Sequence, residues 1–211
     1  MKFEEGKGIL RIESVKDFSE INSIDKEKVV SVIVGKSVKT LKKALFEMFE
    51  NLKKVEIPEV KIIAEDVFYR CKKLEEIKMS KVERIGKRAF FDCESLKKLD
   101  MPNLKLAGED TFRDCKQLEE VNVPKAEEIG KRTFFNCEGL EKLDMPNLKS
   151  TGEDTFRNCK QLKEVNMLKL EKIGKRTFFN CENLEKVHIS EETYSKYKEE
   201  FNDTKVTKVS K

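Results

Sequence analysis

The chain has 211 residues, of which 40% are charged and 38% hydrophobic. Lys plus Arg total 44 and Asp plus Glu total 40, a net charge of +4; so mild an excess is not a nucleic-acid footprint, which needs a basic face. No stretch approaches the ~18 apolar residues of a membrane span, and the start, Met1-Lys2-Phe3-Glu4-Glu5-Gly6, has no apolar signal core, so a cytoplasmic location is expected, or a cell-surface or secreted one if an export signal has been removed.

Residues 1–23 are expected to form an N-terminal cap, with Ile9, Leu10 and Ile12 as a candidate strand. Val30 and Ile33 stand one period before Leu52 and Val55, which opens a repeat array over residues 24–189. Gly35-Lys36-Ser37 is similar to the end of a phosphate-binding loop. The earlier glycine that such a loop needs is replaced by Val30, so no nucleotide site is assigned.

From there one pattern returns every 22 residues: Phe-x-x-Cys-x-x-Leu-x-x-aliphatic-x-aliphatic-Pro-x-aliphatic-x-x-Ile-Gly. Its markers are the Phe46-to-Phe178 column, the Leu52-to-Leu184 column and six cysteines from Cys71 to Cys181. The aliphatic-x-aliphatic segment alternates in and out, which predicts a short strand with one buried face. Proline ends it, having no ladder donor. Glycine permits the turn that follows. The stretch from Gly to Cys is too short for a long helix, so one helical turn or a 3₁₀ piece is expected there, presenting Phe and Cys inward. No unit can bury these residues alone, whereas stacked units can, which predicts a solenoid of α/β class with a parallel sheet along one face. Nine in-register strands are expected, centred near residues 33, 55, 77, 99, 121, 143, 165, 187 and 209. Residues 190–211 should form a C-terminal cap: a helix from Glu191 to about Phe201, N-capped by Ser190, with Tyr194, Tyr197 and Phe201 over the last core layer, then the last strand.

The phrase Ile85-Gly86-Lys87-Arg88-Ala89-Phe90-Phe91-Asp92-Cys93-Glu94-Ser95-Leu96 resembles the BspA-like class of leucine-rich repeats. The resemblance covers residues 30–189, with Thr in place of Ala at 111, 133, 155 and 177. It implies a right-handed leucine-rich-repeat solenoid, a horseshoe with short helical turns opposite the sheet. It also implies a binding role, in many members as adhesins at cell surfaces.

A second period of 44 residues overlies the first. Residues 83–126 and 127–170 differ at only 12 of 44 positions, and alternate repeats carry opposite charges at matching sites. One strand column reads Lys54, Glu76, Lys98, Glu120, Lys142, Glu164, Lys186. Adjacent parallel strands lie about 4.8 Å apart. Each charge is therefore expected between two of opposite sign, and a slip by one unit would set like charges side by side.

The cysteine column is read as buried reduced thiols, because a zinc site needs closer spacing and a lone column fits a reducing compartment. His188 is the single histidine and faces outward, so neither a multi-histidine metal site nor a histidine-based catalytic pair is assigned. Carboxylates are interleaved with lysines as a solvated ladder. No cofactor is implied and the chain is read as non-enzymatic. Asn202-Asp203-Thr204 is a glycosylation sequon, relevant only to a secreted chain.

Two surfaces are candidates for a protein partner. The first is the outward strand face: Lys54, Glu56, Glu76, Lys78, Lys98, Asp100, Glu120, Asn122, Lys142, Asp144, Glu164, Asn166, Lys186 and His188. Solenoids commonly bind on the concave sheet, although this face carries no aromatic anchor and also reads as a self-neutralising ladder. The second is the row beside the Phe column: Tyr69, Phe91, Arg113, Phe135, Arg157 and Phe179. It reads either as cation-π stacking between repeats or as an exposed stripe, and stacking is the favoured reading. The leading expectation is a protein-interaction scaffold, with a cell-surface adhesin or structural protein as the alternative.

Overall fold

The computed structural model describes residues 1–202, Thr204 and the backbone of Lys208 and Val209. It is a solenoid of stacked parallel strands with few helices. The strands Ser31–Val34, Lys54–Glu56, Glu76–Lys78, Lys98–Asp100, Glu120–Asn122, Lys142–Asp144, Glu164–Asn166, Lys186–His188 and Lys208–Val209 fall at the nine expected places. In the strands from Lys54–Glu56 to Lys186–His188 the middle residues are buried and the flanking residues face outward; Val121 lies inside while Glu120 and Asn122 are exposed. The hydrogen-bonded ladder is interrupted between Glu76–Lys78 and Lys98–Asp100, leaving a five-stranded and a six-stranded sheet. At the N-terminus Ile9–Ile12 pairs in parallel with Ser31–Val34, and Lys2–Glu4 closes the edge antiparallel.

The register of the first repeat differs from the expected one. Val32, not Ile33, pairs with Val55, an offset of 23 residues. Val29, Val32 and Val34 are buried, and Val30 is exposed. Val29-Val30-Ser31-Val32-Ile33-Val34 is apolar on both faces, so its pattern admits either register, and a one-residue slip exchanges the faces. The extra residue sits between Val34 and Val38, in the Gly35-Lys36-Ser37 turn. There the Val38 N–H donates to the Gly35 carbonyl, and the Ser37 hydroxyl donates to the Glu13 carbonyl.

A second parallel sheet, absent from the sequence reading, runs beside the first. Its strands are Thr40–Leu41, Ile62–Ile63, Arg84–Ile85, Leu106–Ala107, Glu128–Ile129 and Ser150–Thr151. Each is two residues long with its second residue buried.

Between Gly and Cys the chain makes overlapping turns in place of the expected helical turn. Non-glycine residues take left-handed backbone twice per repeat, as at Asp110 (φ 55°) and Asp114 (φ 62°). This turns alternate peptide groups the same way. The N–H groups of Asp110, Phe112 and Asp114 donate to the carbonyls of Lys131, Thr133 and Phe135, at 2.8–2.9 Å. The carbonyls of Glu109, Thr111 and Arg113 accept from Arg88, Phe90 and Asp92 in the preceding coil. Three peptide units per coil thus point their N–H toward the C-terminal end, and their dipoles align as they do in a helix. Both ends are met by opposite charge: the Glu200 carboxylate accepts from the Arg176 N–H, and the Lys26 ammonium donates to the Glu47 carbonyl.

The core is a set of columns. Phe46, Phe68, Phe90, Phe112, Phe134, Phe156 and Phe178 stack with centroids 5.1–5.7 Å apart. Phe201 continues the column onto Phe178 at 5.3 Å. The thiols of the six cysteines are buried and free. Thr111, Thr133, Thr155 and Thr177 are fully buried where Ala89 stands in an earlier repeat, and each hydroxyl donates to a glycine carbonyl three residues back at 2.7–2.8 Å. At the repeat glycines a side chain would obstruct the chain entering the turn, through close approach to the preceding coil and not through backbone conformation, since only Gly8 among the glycines has positive φ. A Cβ on Gly130 would lie 2.7 Å from the backbone of Gly108 and Glu109. At the far end Ser190 caps the helix Glu191–Lys196 by accepting from the Thr193 N–H, and Lys198–Phe201 follows as a 3₁₀ turn.

Candidate functional site

The inward column of each front strand is locked in the core, so the period-2 alternation places the neighbouring charged residues on one outward face. On three adjacent strands Lys98, Asp100, Glu120, Asn122, Lys142 and Asp144 line a groove of about 690 Å³. The candidate strand-face residues there are therefore one surface. Lys54, Glu56, Glu76 and Lys78 extend it toward the N-terminus across the interruption of the ladder, and Glu164, Asn166, Lys186 and His188 extend it the other way.

Along the first column its charges pair in twos, while Lys78 also bridges Glu56 (3.0 Å) and Glu76 (3.8 Å) and His188 also contacts Glu164. Ion pairs join Lys54 to Glu76 (3.6 Å), Lys98 to Glu120 (2.7 Å) and Lys142 to Glu164 (3.1 Å). Among the described residues none within 4 Å joins Glu76 to Lys98 or Glu120 to Lys142. The expected continuous alternation of that column thus resolves into separate pairs, because a lysine chain leans toward one neighbour; the gap after Glu76 coincides with the broken ladder, whereas that between Glu120 and Lys142 lies on an intact one. The hydrogen bond from Lys98 to Glu120 raises the Lys98 ammonium above its ordinary value. Glu164 is held below the usual carboxylate range by hydrogen bonds from His188 (2.9 Å) and Lys142. Beside these pairs Asn122 donates to Asp100 at 2.7 Å and Asn166 to Asp144 at 2.8 Å, leaving the aspartates unneutralised on that column.

The second row is stacked. Tyr69 and Phe91 lie face to face at 5.2 Å. The Arg113 guanidinium sits 5.5 Å from the Phe91 centroid and 4.8 Å from Phe135; Arg157 sits 5.7 Å from Phe135 and 4.8 Å from Phe179. The rings are half-buried except Phe179, which is 39% exposed at the end of the row.

Three features escaped the sequence reading. Arginine forks clamp coils in pairs: Arg132 grips Asp110 through Nε (2.8 Å) and Nη2 (2.9 Å), as Arg88 grips Asp66 and Arg176 grips Asp154. Burial raises the Asp110 carboxyl and the Arg132 fork outweighs it, so Asp110 is held below its ordinary value. Ile62, Leu106 and Ala107 help line a groove of about 580 Å³ on the second sheet. A lysine row follows the edge between the sheets. The sign alternation at 66, 88, 110 and 132 was the available signal for the forks.

The two sheets, the stacked Phe column and the repeated turn define a leucine-rich-repeat solenoid. The sequence profile of the BspA type leucine rich repeat region matches residues 20–128 and 105–210. The chain belongs to the BspA-type leucine-rich-repeat family. Among solved structures it is similar to a T. pallidum leucine rich repeat protein (19% identity, TM-score 0.71, covering 98% of this chain and 95% of that one). It is also similar to a Bacteroides ovatus leucine-rich repeat protein (22% identity, TM-score 0.50, 95% and 66%). A leucine rich cell surface protein of Faecalibacterium prausnitzii matches as well (19% identity, TM-score 0.54, 84% and 64%). A comparison with curated protein sequences finds no significant match.

Proposed function

We propose that this chain is a non-catalytic protein-interaction scaffold that docks a protein partner on its outward strand face. The observation that carries this reading is the 690 Å³ groove, whose lining joins candidate residues from three strands. A rigid backbone ladder beneath holds their side chains at fixed spacing, which suits recognition by charge pattern. The cysteines offer no nucleophile: their thiols are buried, and burial pushes Cys71 and Cys181 up to about 12. Residues 1–23 and 190–211 act as caps on the array, and the thiol column fits a reducing cytoplasm.

A surface adhesin or structural role is the second reading. It is supported by family membership and by the F. prausnitzii fold relative, described as a cell surface protein. Among the described residues no helix is long and apolar enough to cross a membrane.

Affinity capture with the wild-type chain and with Lys98→Glu/Lys142→Glu tests the strand face. Selective loss of a captured protein from the charge-reversed bait is the expected result. Identical capture by both baits would move the docking surface elsewhere.

A further inference from the structure

The column at the edge between the two sheets departs from the sign alternation of the first strand column and of the columns beside Phe and Cys. Where those columns alternate opposite charges, this one reads Glu59, Lys81, Asn103, Lys125, Asn147, Lys169, Glu191, with no carboxylate among its five middle members. Each asparagine is fixed by donating to a backbone carbonyl of the preceding coil, Asn103 to Ser80 and Asn147 to Pro124, both at 2.9 Å. Its free oxygen then accepts from the next lysine: Lys125 to Asn103 at 2.9 Å and Lys169 to Asn147 at 2.8 Å. The Lys125 and Lys169 ammonium groups are therefore oriented by asparagines, and among the described residues no carboxylate lies within 4 Å of Lys81, Lys125 or Lys169, all three exposed. Around the middle of the row, Lys105, Lys125, Lys149 and Lys169 surround the single carboxylate Glu127 in a shallow groove of about 330 Å³. The Lys149 hydrogen bond foremost, with the charges of Lys149, Lys105 and Lys169, holds Glu127 below the ordinary carboxylate range.

We propose that this edge binds an extended acidic polypeptide segment carrying a carboxylate at every third residue. The unneutralised lysines recur every second coil, roughly 9.6 Å apart at about 4.8 Å per strand spacing. A segment in the extended polyproline-II conformation rises about 3.1 Å per residue with three residues per turn, so its side chains at i, i+3 and i+6 share one face and recur about every 9.3 Å, close to that step. Glu83, Glu127 and Glu171 stand in the adjacent column, one per two coils, and repel a polymer of uniform negative charge between the lysines. The groove offers lysine point charges and neither an arginine fork nor an aromatic ring, which disfavours phosphate polymers read by bidentate contacts and stacking.

This surface lies apart from the strand face, so its test does not depend on the outcome there. The probes are a fluorescent peptide, Glu-Ser-Thr-Glu-Ser-Thr-Glu, its composition-matched isomer with the three glutamates contiguous, and heparin, each titrated by anisotropy at low salt. The spaced peptide is expected to bind at least about ten-fold more tightly than the contiguous one, a difference of about 1.4 kcal/mol. It should lose that binding in Lys81→Gln/Lys125→Gln/Lys169→Gln, with an unchanged circular-dichroism melt. No binding by the spaced peptide, equal binding of the two peptides, tighter binding of heparin, or unchanged binding to the triple variant would overturn the proposal. If the triple variant melts early, Lys125→Gln alone replaces it, with a smaller loss expected and no loss counting against the proposal.

Discussion

The Cys137 thiol donates to the carbonyl of Phe112, 25 residues earlier, across 3.2 Å. The same bond recurs from Cys71 to Phe46, Cys93 to Phe68, Cys115 to Phe90, Cys159 to Phe134 and Cys181 to Phe156. Each cysteine thus satisfies a carbonyl of the neighbouring coil in a space that also demands a small apolar group. Cys137→Ala keeps the apolar fit but removes one of the two hydrogen bonds that the Phe112 carbonyl accepts, leaving the one from the Cys115 N–H. It is expected to cost about 1–2 kcal/mol in urea unfolding, combining a small void with an unmade hydrogen bond. A loss within error would show the thiol to be a mere space filler.

Burial raises the cysteine pKa values, Cys71 and Cys181 to about 12 from an ordinary 9.0. The unfolded chain therefore releases these protons first as pH rises, so the stabilising contribution is complete below pH 9 and is lost progressively up to about pH 12. The slope contributed is at most about 1.4 kcal/mol per pH unit for each thiol. Urea midpoints measured from pH 8 to 11 should fall more steeply for the wild type than for Cys71→Ala/Cys181→Ala; parallel curves would contradict the assignment.

The aromatic column makes Phe134 a central contact, with ring neighbours at 5.4 and 5.7 Å on its two sides. Phe134→Ala should cost about 3–5 kcal/mol by opening a cavity between coils. A loss below 1 kcal/mol would place the ring outside the core.

Gly130→Ala forces a Cβ against backbone at 2.7 Å, and neither coil can yield without disturbing its ladder. A penalty of about 2 kcal/mol or more is expected, from overpacking. Gly6→Ala, with nothing within 4 Å, serves as the control and should change stability by less than about 0.5 kcal/mol. Similar melting temperatures for the two variants would refute the close-approach reading.

The fork between Arg132 and Asp110 buries a carboxylate that is only 7% exposed. Asp110→Asn should cost about 1.5–3 kcal/mol at pH 7, the range for hydrogen bonds to charged groups. Because the Asp110 pKa is lowered on folding, its contribution is present above the ordinary aspartate pKa of 3.8 and is lost as pH falls through the lower folded value. The gap between wild type and Asp110→Asn should therefore close below pH 4. A gap of constant size down to pH 2 would mean that the charge is not what stabilises the clamp.

Much of this architecture was legible because single columns carry single jobs. Val121 between Glu120 and Asn122 announces a strand wherever it recurs. The first repeat misled because Val29 to Val34 is apolar on both faces, and burial alone chooses Val32. The second sheet has no shared residue type, since Ile62-Ile63, Leu106-Ala107 and Ser150-Thr151 fill equivalent strands. The turn ladder was hidden because its left-handed positions are held by Asp110, Arg132 and Asn136 rather than glycine. At the candidate site the face could be read from period 2, whereas the choice of Lys98 by Glu120 over Lys142 depends on side-chain lean that no spacing encodes.

The central claim is that partners dock on the outward strand face. It is tested most directly by a photo-crosslinking side chain placed at Asn122, inside the groove, and separately at exposed Met48, far along the turn side. A partner adduct from position 122 and none from position 48 is the predicted result. An adduct from position 48 alone would contradict the claim.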